Sequence, residues 1–124
     1  MRLYLQDIGR VDLLTSEEEV TLARLVQRRE ALLKQQRELS DTNPAIGELH
    51  RLEELQRREA NHHSHWPTKQ EWARAAGLTL QELQSRIDAG YEAWADKAAI
   101  DAKGLKVSLR NGRRAKDHMI QANL

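Results

Sequence analysis

The sequence predicts an all-α protein, and three observations carry that prediction. Of 124 residues 31% are charged and 40% hydrophobic, with Leu, Ala, Glu, Gln, Lys and Arg dominating; these side chains give up little freedom in a helix. β-branched residues are sparse, and no stretch alternates apolar and polar residues as a half-buried strand would. Helix-start signals recur instead. Thr15-x-x-Glu18, Thr68-x-x-Glu71 and Thr79-x-x-Glu82 each set a hydroxyl three residues before a carboxylate, the spacing of a reciprocal cap.

Taken in order, Leu3, Tyr4, Leu5 and Ile8 suit a short helix that Gly9 stops. Leu14 then occupies the position of a hydrophobic staple ahead of the Thr15 cap. The helix that follows carries Val20, Leu22, Ala23, Leu25, Val26, Leu32 and Leu33 and runs to about Leu39. Its highly charged later half, Arg28 to Glu38, is expected to project into solvent. Ser40 to Gly47, punctuated by Pro44 and Gly47, breaks the chain. Ile46, Leu49, Leu52 and Leu55 form a narrow apolar stripe, expected to pair with the preceding charged helix as an antiparallel hairpin.

Asn61 to Trp66 reads as a polar, His-rich connector that Pro67 ends. Two capped helices around Ala75-Ala76-Gly77-Leu78 then make a helix-turn-helix-like pattern, with Trp72, Ala76, Leu78, Leu83 and Ile87 as its core. The second helix is expected to pass through Gly90, weakened there, towards Trp94 and Ile100. Gly104 and Gly112 read as further stops, with a final helix from about Arg113 carrying Met119, Ile120 and Leu124. That pattern ends without a cap, so the chain is expected to be part of a longer protein, and its cut apolar face to favour self-association.

Several function classes fall away. Cysteine is absent, which excludes disulfides and thiolate metal sites. No apolar run is long enough for a signal peptide or a membrane span, so a cytoplasmic location is expected. There is no phosphate loop, nucleophile elbow or zinc-protease motif, so no enzymatic activity and no cofactor are expected. His62, His63 and His65, with His50 upstream, lack the fixed surroundings that a metal site needs, and exposed loop histidines are the expected reading. In the second helix of the helix-turn-helix pattern, Arg86 stands among Glu82 and Asp88, acids that repel phosphate. A scaffold is expected there rather than a groove reader.

The net charge is only +1, but Lys103, Lys106, Arg110, Arg113, Arg114 and Lys116 lie in a stretch free of acids. Such a stretch meets phosphate or an acidic protein surface, or is simply a solvated helix face. At the other end, Arg2, Tyr4 and Gln6 combine a cation, a stacking ring and an amide, a set suited to single-stranded nucleic acid, while Tyr4 and Leu5 equally suit a core.

Two separated strings then coincide with a known family. Arg2-Leu3-Tyr4-Leu5-Gln6-Asp7-Ile8-Gly9 with Leu13-Leu14-Thr15-x-Glu17-Glu18-Glu19 resembles region 1.2 of the sigma-70 family. Gly112-Arg113-Arg114-Ala115-Lys116-x-x-Met119-Ile120-x-Ala122-Asn123-Leu124 resembles the start of region 2.1. The Trp66-Pro67-Thr68 and Glu71-Trp72-Ala73 pattern between them is similar to the insert in sigma factors of photosynthetic bacteria.

The resemblance implies the front part of sigma domain 2, divided into region 1.2-like helices (1–39), a variable helical insert (40–104) and the start of a region 2.1-like helix (105–124). It implies a part in transcription initiation. Arg2, Tyr4, Leu5 and Gln6 would contact the promoter discriminator on the non-template single strand. Leu5 stands where many members carry Met, and Gln6 where many carry Arg. Arg113, Arg114, Lys116 and Asn123 would lie on the surface that meets the RNA polymerase core, whose β′ subunit the family contacts. The alternative is a stand-alone helical module that regulates the polymerase or a sigma factor by protein contact. Salt-sensitive binding to a single-stranded oligonucleotide separates the two.

Overall fold

A computed structural model of the chain describes residues 13–122. They form five helices, α1 (Ser16–Ser40), α2 (Pro44–His63), α3 (Lys69–Ala76), α4 (Leu80–Ala98) and α5 (Ala102–Ala122). No strand occurs among the described residues, as the all-α prediction requires. The described residues divide into two compact units, one comprising those up to Leu33 together with those from Lys106, the other Lys34–Leu105.

Each Thr-x-x-Glu signal closes as a reciprocal cap. The Thr15 amide donates to Glu18 Oε1 at 3.1 Å, and the Glu18 amide to Thr15 Oγ1 at 3.1 Å. The Thr68–Glu71 pair closes at 2.9 and 3.1 Å and the Thr79–Glu82 pair at 3.0 and 3.1 Å. These bonds, the threonine amide first and its hydroxyl second, hold all three carboxyls below their ordinary value of 4.5. A carboxyl lowered by folding stabilises the fold above its unfolded value, and that contribution is lost as pH falls through the folded one. We expect the double variant Glu71→Gln/Glu82→Gln, which keeps a neutral cap, to lose stability less steeply below pH 4.5 than the parent. Urea unfolding at a series of pH values checks this; parallel curves would mean that the caps do not contribute to acid sensitivity.

In the Lys34–Leu105 unit α2, α3 and α4 pack on one another. Ile46, Leu49 and Leu52 from the predicted stripe are fully buried, as are Leu83 and Trp94, with Trp72, Ala73, Ile87 and Ala95 nearly so. Trp72 Nε1 donates to the Leu52 carbonyl at 2.8 Å and Trp94 Nε1 to Gln35 Oε1 at 3.2 Å, so both indoles bury their rings without stranding the N–H. Trp72, Leu83 and Ile87 were expected in this core. Ala76 and Leu78 are only half-buried, and Ala73 takes part instead.

Five expectations need correction. The stripe on α2 packs chiefly against α4, with the end of α1 joined to α2 mainly by polar contacts. The later half of α1 does not simply project into solvent, because Leu32 and Gln36 are buried at 3% and 4% exposure. Gln36 Nε2 donates to Glu53 Oε1 at 2.7 Å, its Oε1 meets His50 Nδ1 at 3.1 Å, and the Tyr91 hydroxyl donates to Glu53 Oε2 at 3.1 Å. Burial, and secondarily the Glu53 charge, pushes the Tyr91 phenol well above its usual range.

The connector after α2 is shorter than expected. The helix continues to His63 and ends at Ser64 in the left-handed region (φ 60°), and His63 faces Glu59 at 3.1 Å one turn back. Gly90 does not weaken α4. It is buried where α4 crosses α2, and a Cβ there would stand 2.5 Å from Leu49 Cβ and 3.0 Å from the Ala45 carbonyl. Helix α4 stops instead at left-handed Ala99 (φ 57°), whose amide and that of Ile100 return to the last turn. Gly104 and Gly112 are not stops either, since both lie inside α5.

Candidate functional site

The described part of the candidate site is α5. Asp101 starts this helix: its Oδ1 accepts the Gly104 amide at 2.6 Å, and its carbonyl accepts the Leu105 amide at 3.0 Å. The signal was present in the sequence as an Asp three residues before Gly104. Reading that glycine as a breaker hid it.

In the unit that holds α5 from Lys106 onward, Gly112 is buried against α1. A Cβ at this position would run into Arg29 Cβ and stand 2.8 Å from the Leu25 carbonyl. Further along, His118 borders a shallow hollow of about 280 Å³ with Glu17, Glu18, Thr21 and Leu22. Later residues of α5 therefore meet earlier residues of α1, and the two helices run antiparallel. Gly112 and Ala115 are buried, with Ser108 and Met119 half-buried; at about 100° per residue these four share one face.

The opposite face is cationic. Lys106, Arg110, Arg113 and Arg114 are all exposed there and fall within an arc of about 100°. Lys116 is exposed but lies off the arc. Arg110, Arg113, Arg114 and Lys116 make no side-chain hydrogen bond or ion pair among the described residues. The other unit contrasts with this: Arg51 and Arg86 both clamp Glu48, at 2.6 and 2.9 Å, and hold its carboxyl below the usual range, Arg51 having the larger effect. The charge count agrees. Lys34–Leu105 carries ten Lys and Arg against twelve Asp and Glu, whereas the remainder carries ten against seven.

Of the predicted site residues, Arg113, Arg114 and Lys116 thus sit on one exposed helix, which also presents Arg110. That residue belongs to the basic stretch but was not singled out from sequence. Arg2, Tyr4, Leu5, Gln6 and Asn123 lie outside the described residues, as does Leu124 of the expected apolar face. On that face Met119 is half-buried and Ile120 is 54% exposed.

The helix-turn-helix pattern forms as α3, a left-handed Gly77 turn (φ 70°) and α4. A groove of about 800 Å³ runs along it, lined by Lys69, Leu80, Gln81, Gln84, Ser85, Asp88, Ala89 and Glu92. Its charge is mixed and ends acidic, which does not favour a phosphate backbone. Among the described residues no three His, Asp or Glu side chains are grouped to hold a metal, and no helix is long and apolar enough to cross a membrane.

Comparison with known proteins adds to this geometry. The profile described as Sigma-70 factor, region 1.2 matches residues 1–32. Over its whole length the chain is 39% identical to the RNA polymerase sigma-C factor of Nostoc, 37% to the RNA polymerase sigma factor SigA2 of Synechococcus elongatus and 34% to the probable RNA polymerase sigma-C factor of Synechocystis. It spans 30%, 26% and 31% of the length of these relatives, respectively. No solved structure matches the chain.

Proposed function

Because the chain belongs to the sigma-70 family, we propose that it serves transcription initiation as the part of a sigma factor that holds an opened promoter strand and associates with the RNA polymerase core. The observation that carries this is the match of residues 1–32 to region 1.2, within which Arg2, Tyr4, Leu5 and Gln6 fall. Arg2 supplies charge for a phosphate, the Tyr4 ring a surface on which an unpaired base stacks, and the Gln6 amide both a donor and an acceptor for a base edge. Leu5 adds apolar contact beside the ring. The DNA so held is the non-template strand at the discriminator.

Core association, with the β′ subunit as partner, falls to the last part of the chain, where Arg113, Arg114, Lys116 and Asn123 are the positions to vary. The three-part division at residues 39 and 104 belongs to the same proposal, with the middle part a variable insert. No chemical step is required of the segment, and its place of action is the cytoplasm, with the polymerase.

In a complete factor carrying this segment, Tyr4→Ala is expected to shorten the lifetime of open complexes at discriminator-dependent promoters by about tenfold, the scale of one lost base–aromatic stack. Arg2→Ala should act in the same direction and more weakly at high salt, where phosphate contacts are already screened. Filter-retention decay of preformed complexes measures both. Unchanged lifetimes for the two variants would remove the strand-holding role.

A further inference from the structure

We infer that the cationic arc of α5, formed by Arg110, Arg113 and Arg114, binds the phosphate backbone of double-stranded DNA. All three guanidinium groups are exposed and lack an ion pair among the described residues. No acid occurs between Ala102 and Lys116; exposed Asp117 follows on the same face, one turn on from Arg113 and Arg114, and forms no ion pair with them. Three unpaired arginines on one face repel one another, and a polyanion relieves that repulsion while releasing its own counterions.

The arc distinguishes among partners. A protein interface is centred on apolar or aromatic side chains that exclude water. Among the described residues the exposed large apolar side chains are Leu13, Val20, Trp66, Leu80 and Ile120; of these only Ile120 is on α5, a single side chain two turns beyond Arg113 and outside the cationic stretch. Single-stranded nucleic acid requires rings on which bases stack, and α5 carries no Phe, Tyr or Trp. What remains is a straight rod of charge, with Arg110 and Arg114 about 6 Å apart along the axis. A duplex backbone asks only for such a row, because phosphate contacts position a protein without reading sequence.

The role is additional to the strand-holding by Arg2 and Tyr4 and draws on that proposal only for the presence of promoter DNA. It also narrows the core-association proposal to Lys116, which lies off the arc, and Asn123.

The test is fluorescence anisotropy of the 124-residue chain with a duplex of about 20 base pairs and arbitrary sequence, across a salt series. The variant Arg110→Gln/Arg113→Gln/Arg114→Gln keeps helix-forming side chains, and circular dichroism confirms its helix content. It should bind the duplex about tenfold more weakly or worse at low salt, with the log–log salt slope reduced by about two to three. A control that removes the same total charge from the other unit, Arg37→Gln/Arg58→Gln/Arg74→Gln, should stay within about twofold. Trp66→Ala, at an exposed side chain outside both proposed sites, should leave duplex binding unchanged, and titration of a single-stranded oligonucleotide alongside separates failure of this proposal from failure of the strand-holding one.

Equal affinity and slope for the arc variant and the parent would overturn the inference, as would a parent that does not bind duplex at low salt. It would also be overturned if the arc variant lost only single-stranded DNA, or lost capture by core polymerase with duplex binding intact.

Discussion

Trp94→Ala is expected to cost the Lys34–Leu105 unit about 4 kcal/mol, the range for emptying a fully buried aromatic position. The indole has no solvent exposure, lies with its ring centroid 5.8 Å from that of Tyr91, and spends its N–H on Gln35 Oε1 at 3.2 Å. Alanine would leave a void beside Tyr91 and Gln35 and strip the Gln35 carboxamide oxygen of that donor. A domain of this size has only about 5 kcal/mol in reserve, so the unit would keep only about 1 kcal/mol, with roughly one molecule in six unfolded at ambient temperature. Urea unfolding followed by circular dichroism reads this directly. Trp66→Ala, at a side chain 54% exposed, should change stability by less than about 0.5 kcal/mol. A loss below about 1 kcal/mol for Trp94→Ala would mean that the indole does not anchor this core.

Gly90→Val is the second large effect expected, about 3 kcal/mol of destabilisation. Replacing a helical glycine ordinarily stabilises, by about 1 kcal/mol for alanine, because it restricts the unfolded chain. Here the added carbon would stand 2.5 Å from Leu49 Cβ and 3.0 Å from the Ala45 carbonyl. These atoms belong to the body of α2 and cannot turn away, so α2 and α4 would have to separate along their length. Overpacking of this kind costs about 1–3 kcal/mol, and the γ-methyl groups of valine put the figure at the upper end. Gly104→Ala provides the contrast. Its Cβ would meet only the end of the Asp101 side chain, which can shift, so stability should change by less than about 1 kcal/mol. Thermal unfolding of the two variants side by side decides the matter; equal effects would show that the α2–α4 crossing is not tight at Gly90.

Local signals were readable in the sequence where the chemistry itself is local. The three capping boxes need only residues three apart, and all three formed. The Gly77 turn and the Trp72, Leu83 and Ile87 core followed from periodicity. Glycine was misread for a physical reason: its lack of a side chain serves a turn and a close helix crossing equally well, and sequence shows the absence without showing what fills the space. At Gly77 the left-handed backbone was required, whereas at Gly90 and Gly112 it was the empty volume. The partner of the α2 stripe was misassigned because an apolar stripe states that it must be covered and does not say by which helix. Gln36 was hidden because an amide in a charged run looks solvated until its partners, 14 and 17 residues away, are brought beside it. For the candidate site, the family strings proposed positions near both ends of the chain, and the region 1.2 profile matches over the first of them. The structure added the alignment of Arg110 with Arg113 and Arg114, which depends on α5 being continuous through Gly112.

Gln36 has one further consequence. Apolar contacts along a helix tolerate sliding, because one leucine fits a neighbour's hollow about as well as the next. A carboxamide bound at both ends does not. Moving α1 by a single residue would turn the side chain by about 100°, away from Glu53 and His50, and leave buried polar groups unpaired at about 1–3 kcal/mol each. The amide therefore works as a vernier mark, admitting one setting of the last turns of α1 against α2 where a smooth apolar seam would admit several.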